Sequence, residues 1–350
     1  MCTFTRVSHS AIRGALLAAI IFVGTLLCRT LTAESPRDRI LAAATSSSLD
    51  GPGLKPWHLK LNVTLYDDDG KNPISGTIER WNADNGSRTV FTFGDATRTI
   101  LNDGDNHYAS HTGPEVPALA DGVLEEILSP GPSDQDVQTS TPDLQTESFG
   151  KVKLDCIMLS QPIHHNAPFS IGLFPTYCMD PGGQLLRASF NFGSYTVLRN
   201  DITEFQARFI PHTLYFIEGQ RTHVADVKVE TLELFTPKPD EFTPGPEMKP
   251  STLHSWVQVP GGILAGHILK KVPPIYPASA RQAHISGTVV LHAIIGRDGH
   301  IRYLRPVSAP DTDLALASIA AVRQWTYSPY LLNGEPTEVD TTITVNFNLN

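Results

Sequence analysis

A proline-rich stretch from Phe235 to Pro260, FTPKPDEFTPGPEMKPSTLHSWVQVP, divides this 350-residue sequence into two unequal parts. Proline lacks an amide donor and fixes its own φ, so repeated prolines keep helices and central strands out of such a region. We therefore predict a linker at residues 236–260 between a domain at 34–235 and a smaller one at 261–350. Hydrophobic residues make up 41% of the chain, which is enough for each part to form a core.

The part before the linker is dominated by alternating apolar and polar residues. WHLKLNVTLY, from Trp57 to Tyr66, is typical of a strand with one buried face, and similar patterns recur up to Phe235. Ala118 to Leu128 is the best helix candidate. The fold class predicted is α+β, with an N-terminal antiparallel β-rich domain.

In architecture, residues 50–235 resemble the open half-barrel of the periplasmic lipoprotein-carrier proteins. The resemblance rests on predicted strand sequences such as ISGTIERW and IPHTLYFIEG and on their order as an antiparallel meander, not on a specific motif. It implies an apolar concavity that holds an acyl chain or supports another protein. A filled core without a ligand is the alternative.

The first 33 residues have the features of an export signal. Arg13 precedes the apolar run from Gly14 to Cys28, and the small residue Ala33 stands before Glu34 at a plausible cleavage point. The run is short for a membrane span, so a cleaved signal peptide is favoured over a short inner-membrane anchor. Either form predicts an exported protein.

Cysteine usage agrees with export. Once residues 1–33 are set aside, only Cys156 and Cys178 remain, an even pair in an oxidising compartment. We predict that they form a disulfide, with two unpaired buried thiols as the alternative.

Several classes of function find no support in the sequence. The net charge of -9, without a basic block, argues against nucleic acid as a partner. The chain lacks GxSxG, HExxH and phosphate-loop motifs, and no GxGxxG follows a strand, so we predict no catalytic residue and do not expect an enzyme. No metal site or cofactor is predicted, because no CxxC or HxxxH spacing accompanies Cys156 and Cys178 and the DDDG turn lacks the alternating ligands of a calcium loop.

After the linker the pattern of elements is sharper. A short helix is predicted at Ala278 to Ala283, followed by a strand up to Ile295, and Asp298-Gly299 is a strong signal for a hairpin turn. Asp311 is placed to cap a second helix, whose apolar stripe ends at Trp325. Val339 to Leu349 alternates cleanly and predicts a final strand.

Together these motifs resemble the C-terminal domain of TonB-family energy transducers over residues 265–350. The matching features are YPASAR at Tyr276 to Arg281, Gly287 before the first strand, Asp298-Gly299, AVRQWTYSP at Ala321 to Pro329, Asn333-Gly334 and the terminal strand. The resemblance implies a small domain with a short helix, a β-hairpin, a helix and a final β-strand.

The resemblance also implies a partner. In that family the domain offers a strand edge in the periplasm, and an extended peptide of an outer-membrane transporter adds to it. Carried onto this sequence, the edge is the final strand, and the expected partner-binding residues are Val339, Thr341, Thr342, Ile343, Thr344, Val345 and Phe347. The implied protein is periplasmic or inner-membrane anchored, acts in transport across the envelope, and binds a transporter or another envelope protein.

A transducer of this family would also have inner-membrane motor proteins as partners. Such a transducer has a long spacer before its C-terminal domain, but here a folded domain occupies most of that place. Two other functions stay open at this point. One is a carrier of a lipid or another apolar ligand with a TonB-like docking domain, and the other is a structural adaptor that uses no energy. An apolar cavity within residues 50–235 would favour the carrier.

Overall fold

The computed structural model describes residues 34–67, 70–161, 170–219, 222–251 and 256–349. The predicted export signal at residues 1–33 lies outside them. From Ser35 onward the chain forms one unit, so the two parts predicted from sequence contact each other directly. Within the described residues, no helix combines the length and the hydropathy needed to cross a membrane.

The part before the linker contains three helices and twelve strands among its described residues. They are α1 (Pro36–Ser47), β1 (Trp57–Leu65), β2 (Ile74–Ala83), β3 (Gly86–Phe93), β4 (Ala96–Asn102), β5 (His107–Thr112), α2 (Leu119–Leu128), α3 (Asp134–Thr139), β6 (Thr141–Phe149), β7 (Val152–Ser160), β8 (Thr176–Met179), β9 (Leu186–Phe190), β10 (Thr196–Phe205), β11 (Arg208–Glu218) and β12 (Thr222–Leu234).

The elements of the remaining chain are shorter. They are β13 (Lys249–Pro250), β14 (Trp256–Gln258), α4 (Gly261–Leu264), a 3-10 turn (Ala265–His267), β15 (Ile268–Lys270), α5 (Ala278–Gln282), β16 (Gly287–Ile295), β17 (Ile301–Ser308), α6 (Thr312–Val322), β18 (Thr326–Tyr327), β19 (Leu331–Leu332), β20 (Glu335–Pro336) and β21 (Glu338–Phe347).

Strands β1 to β12 form one antiparallel sheet, which β13 joins at one edge to give thirteen strands. Neighbours in sequence are mostly neighbours in the sheet, and β12 returns to pair with β1, as expected for a meander joined by short turns. Helix α2 packs on this sheet through Ala120, Val123 and Ile127, which recur at helical spacing and are fully buried. The predicted helix at 118–128 and the β-rich character of this part are confirmed.

Cys156 and Cys178 lie at directly paired positions of β7 and β8 and are joined by a disulfide, as predicted. Both are completely buried in a small cluster with Leu154 and Ala188. The bond closes a loop over a sequence separation of 22 residues.

Removing this disulfide is expected to lower the free energy of unfolding by about 3 kcal/mol, because the unfolded chain regains the entropy of the open loop. The change is Cys156→Ala together with Cys178→Ala, measured by urea unfolding at equilibrium. Thiol titration of the denatured, unreduced parent provides the control and should find neither cysteine free. Two reactive thiols in that titration would contradict the bond.

The C-terminal elements follow the predicted order. Strands β16 and β17 form the hairpin around Asp298-Gly299, and Asp311 caps α6 by accepting a hydrogen bond from the Asp313 amide at 2.9 Å. The final strand β21 pairs with β16 along nine residue pairs, from Gly287 with Phe347 to Ile295 with Val339. The result is a second sheet in the order β14-β21-β16-β17.

The predicted linker, residues 236–260, contains no helix among its described residues, but it holds two short strands. Lys249 and Pro250 of β13 pair with β5 of the large sheet, whereas β14 pairs with β21 of the small sheet. The segment therefore bonds to the edges of both sheets, because the residues between its prolines keep donors and acceptors that an exposed strand edge can satisfy.

The two parts share an interface. Met158, Leu173 and Phe174 from the first part are buried in the core cluster of the small sheet. The Leu304 amide of β17 donates to the Gly193 carbonyl at 3.0 Å. Gly193 leaves no room for a side chain, because a Cβ there would overlap the Leu304 carbonyl. The outer edge of β17 is thus in contact with the turn between β9 and β10.

Candidate functional site

The sequence placed a partner-binding edge on β21, and this strand proves to have neighbours on both sides. From Val339 to Phe347 it pairs with β16, and at its start Trp256, Val257 and Gln258 of β14 pair in parallel with Glu338, Val339 and Asp340. The prediction of a free edge beginning at Val339 is therefore wrong at this residue. The physical reason is the VQV segment of the linker, which has the alternation and the free amides of a strand.

The backbone direction of β21 decides which residues a further strand could meet. The Asp340 carbonyl faces away from β16, since it accepts a hydrogen bond from the Val259 amide at 3.0 Å. Amide and carbonyl groups alternate sides along an antiparallel pair, so the backbone groups of Thr342, Thr344 and Asn346 also face outward.

Beyond Asp340 the outer edge is largely open. Gly261, at the start of α4, packs against the Thr342 carbonyl so closely that a side chain would not fit. Past that point none of the described strands pairs with β21 on its outer side. The backbone groups of Thr344 and Asn346 are therefore the open part of the edge.

The side chains of the predicted site divide into two sets. Thr342 and Thr344 are exposed, whereas the other five are buried in the small core: Val339, Thr341, Ile343, Val345 and Phe347. The Thr341 hydroxyl donates to the Val259 carbonyl at 2.6 Å, so this residue holds the linker rather than facing solvent. The final strand has the predicted alternation, but a peptide would meet only its outward face and backbone.

A cavity of about 570 Å³ lies between the two parts. Its wall comes from α2 and the segment after it, from strands of the large sheet, and from one face of the β16–β17 hairpin. Polar and aromatic side chains from both parts meet there, among them Glu126, Tyr177, Phe216, His292, Tyr303 and Arg305.

Glu126, in one wall of the cavity, forms an ion pair with the buried Arg199. The Arg199 guanidinium, whose side chain is 1% exposed, donates to the Glu126 carboxylate and also to the Ser189 hydroxyl at 3.1 Å. Burial raises the pKa of Glu126, and the charge of Arg199 opposes that rise. Burial also raises the pKa of Tyr303 and of Tyr177, so both phenols are neutral at pH 7.

The cavity differs from the one that the carrier hypothesis requires. It is not confined to residues 50–235, since His292, Tyr303 and Arg305 belong to the second part. Its charged groups would be desolvated against an acyl chain at a cost in free energy. Among the described residues, no three His, Cys, Asp or Glu side chains are grouped so as to hold a metal ion.

The geometry defines a two-part protein whose smaller sheet keeps a short open edge, and comparison with known proteins assigns a family resemblance to the smaller part. Residues 272–349 match the family model described as Gram-negative bacterial TonB protein C-terminal. This confirms the resemblance found at 265–350. No protein with a curated description matches the chain in sequence.

Solved structures similar to this chain include a LolA superfamily protein from Nitrosomonas europaea, with a TM-score of 0.38, 10% identity, and coverage of 59% of this chain and 96% of that one. A lipoprotein-sorting protein domain from Vibrio parahaemolyticus has a TM-score of 0.36 and 9% identity, covering 60% and 97%. The MucA/MucB complex from Pseudomonas aeruginosa has a TM-score of 0.28 and 13% identity, covering 62% and 63%. LolA-superfamily proteins thus stand among the neighbours, as the resemblance of residues 50–235 suggested, but at these scores we draw no conclusion from them.

Proposed function

We propose that this chain is a protein-binding component of the cell envelope, and that an extended segment of its partner adds to the outer edge of β21. The observation that carries the proposal is the open backbone of Thr344 and Asn346 on a strand whose other side is fully paired with β16. The TonB C-terminal match at 272–349 supports the same kind of interaction.

Physical reasons favour β21 as a template. Nine pairs with β16 hold the strand straight, and its buried face anchors it in the core, so little order is lost when a further strand binds. Backbone hydrogen bonds would supply affinity, and the exposed side chains of Thr342, Thr344 and Asn346 would influence which peptide fits.

The proposed location is the periplasm, and the proposed partner is an outer-membrane transporter or another envelope protein. The disulfide between Cys156 and Cys178 supports export, because such bonds persist in oxidising compartments. We propose binding rather than catalysis as the activity. We do not propose coupling to an inner-membrane motor.

The carrier function is not adopted as a second candidate. The cavity described above carries the charged groups of Glu126, Arg302 and Arg305, which disfavour an acyl chain. If no transporter segment binds, the function to accept is that of a structural adaptor.

The test is a proline substitution at an outward-facing amide. Thr344→Pro removes one donor from the open edge while leaving the pairs with β16 intact, and proline is tolerated at strand edges. We expect this change to weaken binding of a transporter peptide at least tenfold. The measurement is calorimetric titration of the full chain with synthetic peptides from the periplasm-facing extended segments of the outer-membrane transporters of the same cell.

Thr344→Ser is the matched control, because it keeps the amide and the hydroxyl, and it should bind like the parent. Circular dichroism and thermal unfolding check that both variants fold. Normal binding by a folded Thr344→Pro variant would remove the edge from the recognition surface. Failure of every such peptide to bind the parent would instead favour the adaptor.

A further inference from the structure

We infer that the recognition edge of β21 is longer than its open part, and that β14 of the same chain covers the rest as a displaceable strand. In this inference the partner's strand replaces β14 together with the following residues Val259 to Gly261, which lie against Asp340 to Thr342, and it pairs from Glu338 through Asn346. It rests on the proposed function, since it assumes that a partner strand adds to β21.

The pairing of β14 is short compared with that of the other neighbour. Only three residue pairs join β14 to β21, whereas nine join β16 to the same strand. Two further hydrogen bonds follow at Val259, whose amide donates to the Asp340 carbonyl at 3.0 Å and whose carbonyl accepts from the Thr341 hydroxyl at 2.6 Å. A partner strand that continues along Thr344 and Asn346 would make all of the β14 pairs and additional ones.

The side chains of β14 indicate what the partner must supply. Val257 lies opposite Val339 and packs, half-buried, against the core of the small sheet, whereas Gln258 is exposed. An incoming segment therefore needs an apolar residue of similar size at the Val257 position and tolerates a polar residue next to it. Because β14 runs parallel to β21, a partner strand that reproduces the β14 hydrogen bonds runs parallel as well.

Because β14 belongs to the same chain and covers the start of β21, a partner strand must compete with it in order to bind there. A tethered strand competes at a high effective concentration, and the apparent affinity of any partner falls in proportion to the fraction of chains whose edge is uncovered. Short peptides that match only Glu338 to Asp340 would be excluded. A longer segment that also reaches Asn346 would bind.

The first test weakens β14 and leaves β21 untouched. Val257→Asp places a charge where Val257 packs against the core of the small sheet. Gln258→Asp is the matched control, because it adds the same charge at the neighbouring exposed position. The probe is a labelled synthetic peptide with the sequence of residues 256–262, WVQVPGG, added to the full chain. We expect it to bind Val257→Asp at least tenfold more tightly than it binds the parent or Gln258→Asp, as measured by fluorescence anisotropy.

A peptide carrying aspartate at the Val257 position should not show this gain. Equal binding of WVQVPGG to a folded Val257→Asp variant and to the parent would overturn the inference. It would mean that the substitution had not displaced β14 from β21. Circular dichroism and thermal unfolding establish that the variant is folded.

The second test locks β14 in place. Gln258 and Asp340 are paired residues, so Gln258→Cys with Asp340→Cys joins the two strands when oxidised, and the same protein treated with a mild reductant is its control. Transporter peptides that bind the reduced form should bind the locked form at least tenfold more weakly. Equal binding to both forms would overturn displacement while leaving the proposed function intact.

The two proposals can therefore fail separately. If no transporter peptide binds even Val257→Asp, the proposed function fails. Binding of WVQVPGG then still decides whether β14 is a displaceable cover.

Discussion

Replacing Glu126 with glutamine is expected to lower the free energy of unfolding by about 3–5 kcal/mol, the usual effect of breaking a buried ion pair. Arg199 stays charged at neutral pH and its side chain is 1% exposed, so the variant would leave a guanidinium without its counter-charge. The Glu126 side chain is 30% exposed and lines the cavity, whereas Arg199 does not line it, so the penalty falls on the buried guanidinium. Urea unfolding at equilibrium measures the change.

The neighbouring residue provides a matched control. The Glu125 side chain is 71% exposed and lies 3.6 Å from Arg302, so Glu125→Gln should alter the free energy of unfolding by about 0.5 kcal/mol or less. Arg199→Met combined with Glu126→Leu removes both charges and should recover most of the stability lost in Glu126→Gln. Equal, small effects of Glu125→Gln and Glu126→Gln would show that the pair is solvated.

Trp325→Ala is expected to lower the free energy of unfolding by about 3–5 kcal/mol, since it deletes a large buried side chain and leaves a cavity. Trp325 is 4% exposed, and its indole nitrogen donates to the Val272 carbonyl at 2.7 Å. The Lys271 ammonium lies 5.0 Å from the ring centroid, which adds a favourable contact that alanine also loses.

Trp325→Phe separates these contributions. It keeps most of the ring volume and gives up the hydrogen bond, so its cost should be about 1–3 kcal/mol, the penalty for the Val272 carbonyl left without its donor. Thermal and urea unfolding of the full chain measure both variants. A Trp325→Ala protein that unfolds at the denaturant concentration of the parent would contradict the packing described for the small core.

Elements with local signals were predictable from sequence. Asp298-Gly299 marks the β16–β17 hairpin because both turn residues tolerate the backbone of a tight turn, and Asp311 marks the start of α6 because its side chain can cap the helix. The alternation of β21 predicted correctly which of its residues are buried. Each of these signals lies within a few residues of the element that it predicts.

Features that depend on distant residues were not predictable. Val257 lies 82 positions before its partner Val339, and a segment as short as β14 does not indicate which distant strand it pairs with. Glu126 and Arg199 are 73 positions apart, and their pairing depends on how α2 packs on the large sheet. The sequence therefore did not reveal that β14, which lies in the predicted linker, pairs with the start of β21, the predicted free edge.

The contact between Leu304 and Gly193 has a consequence for stoichiometry. A sheet with two open edges can add strands at both ends and so link molecules into growing chains, which is the route to fibrous assemblies. Here the β9–β10 turn contacts β17 at Leu304 and hinders the addition of a strand at that end, whereas β21 keeps an open stretch at Thr344 and Asn346. If a partner strand adds to β21, this contact favours a complex with one partner strand on the small sheet over an extendable assembly.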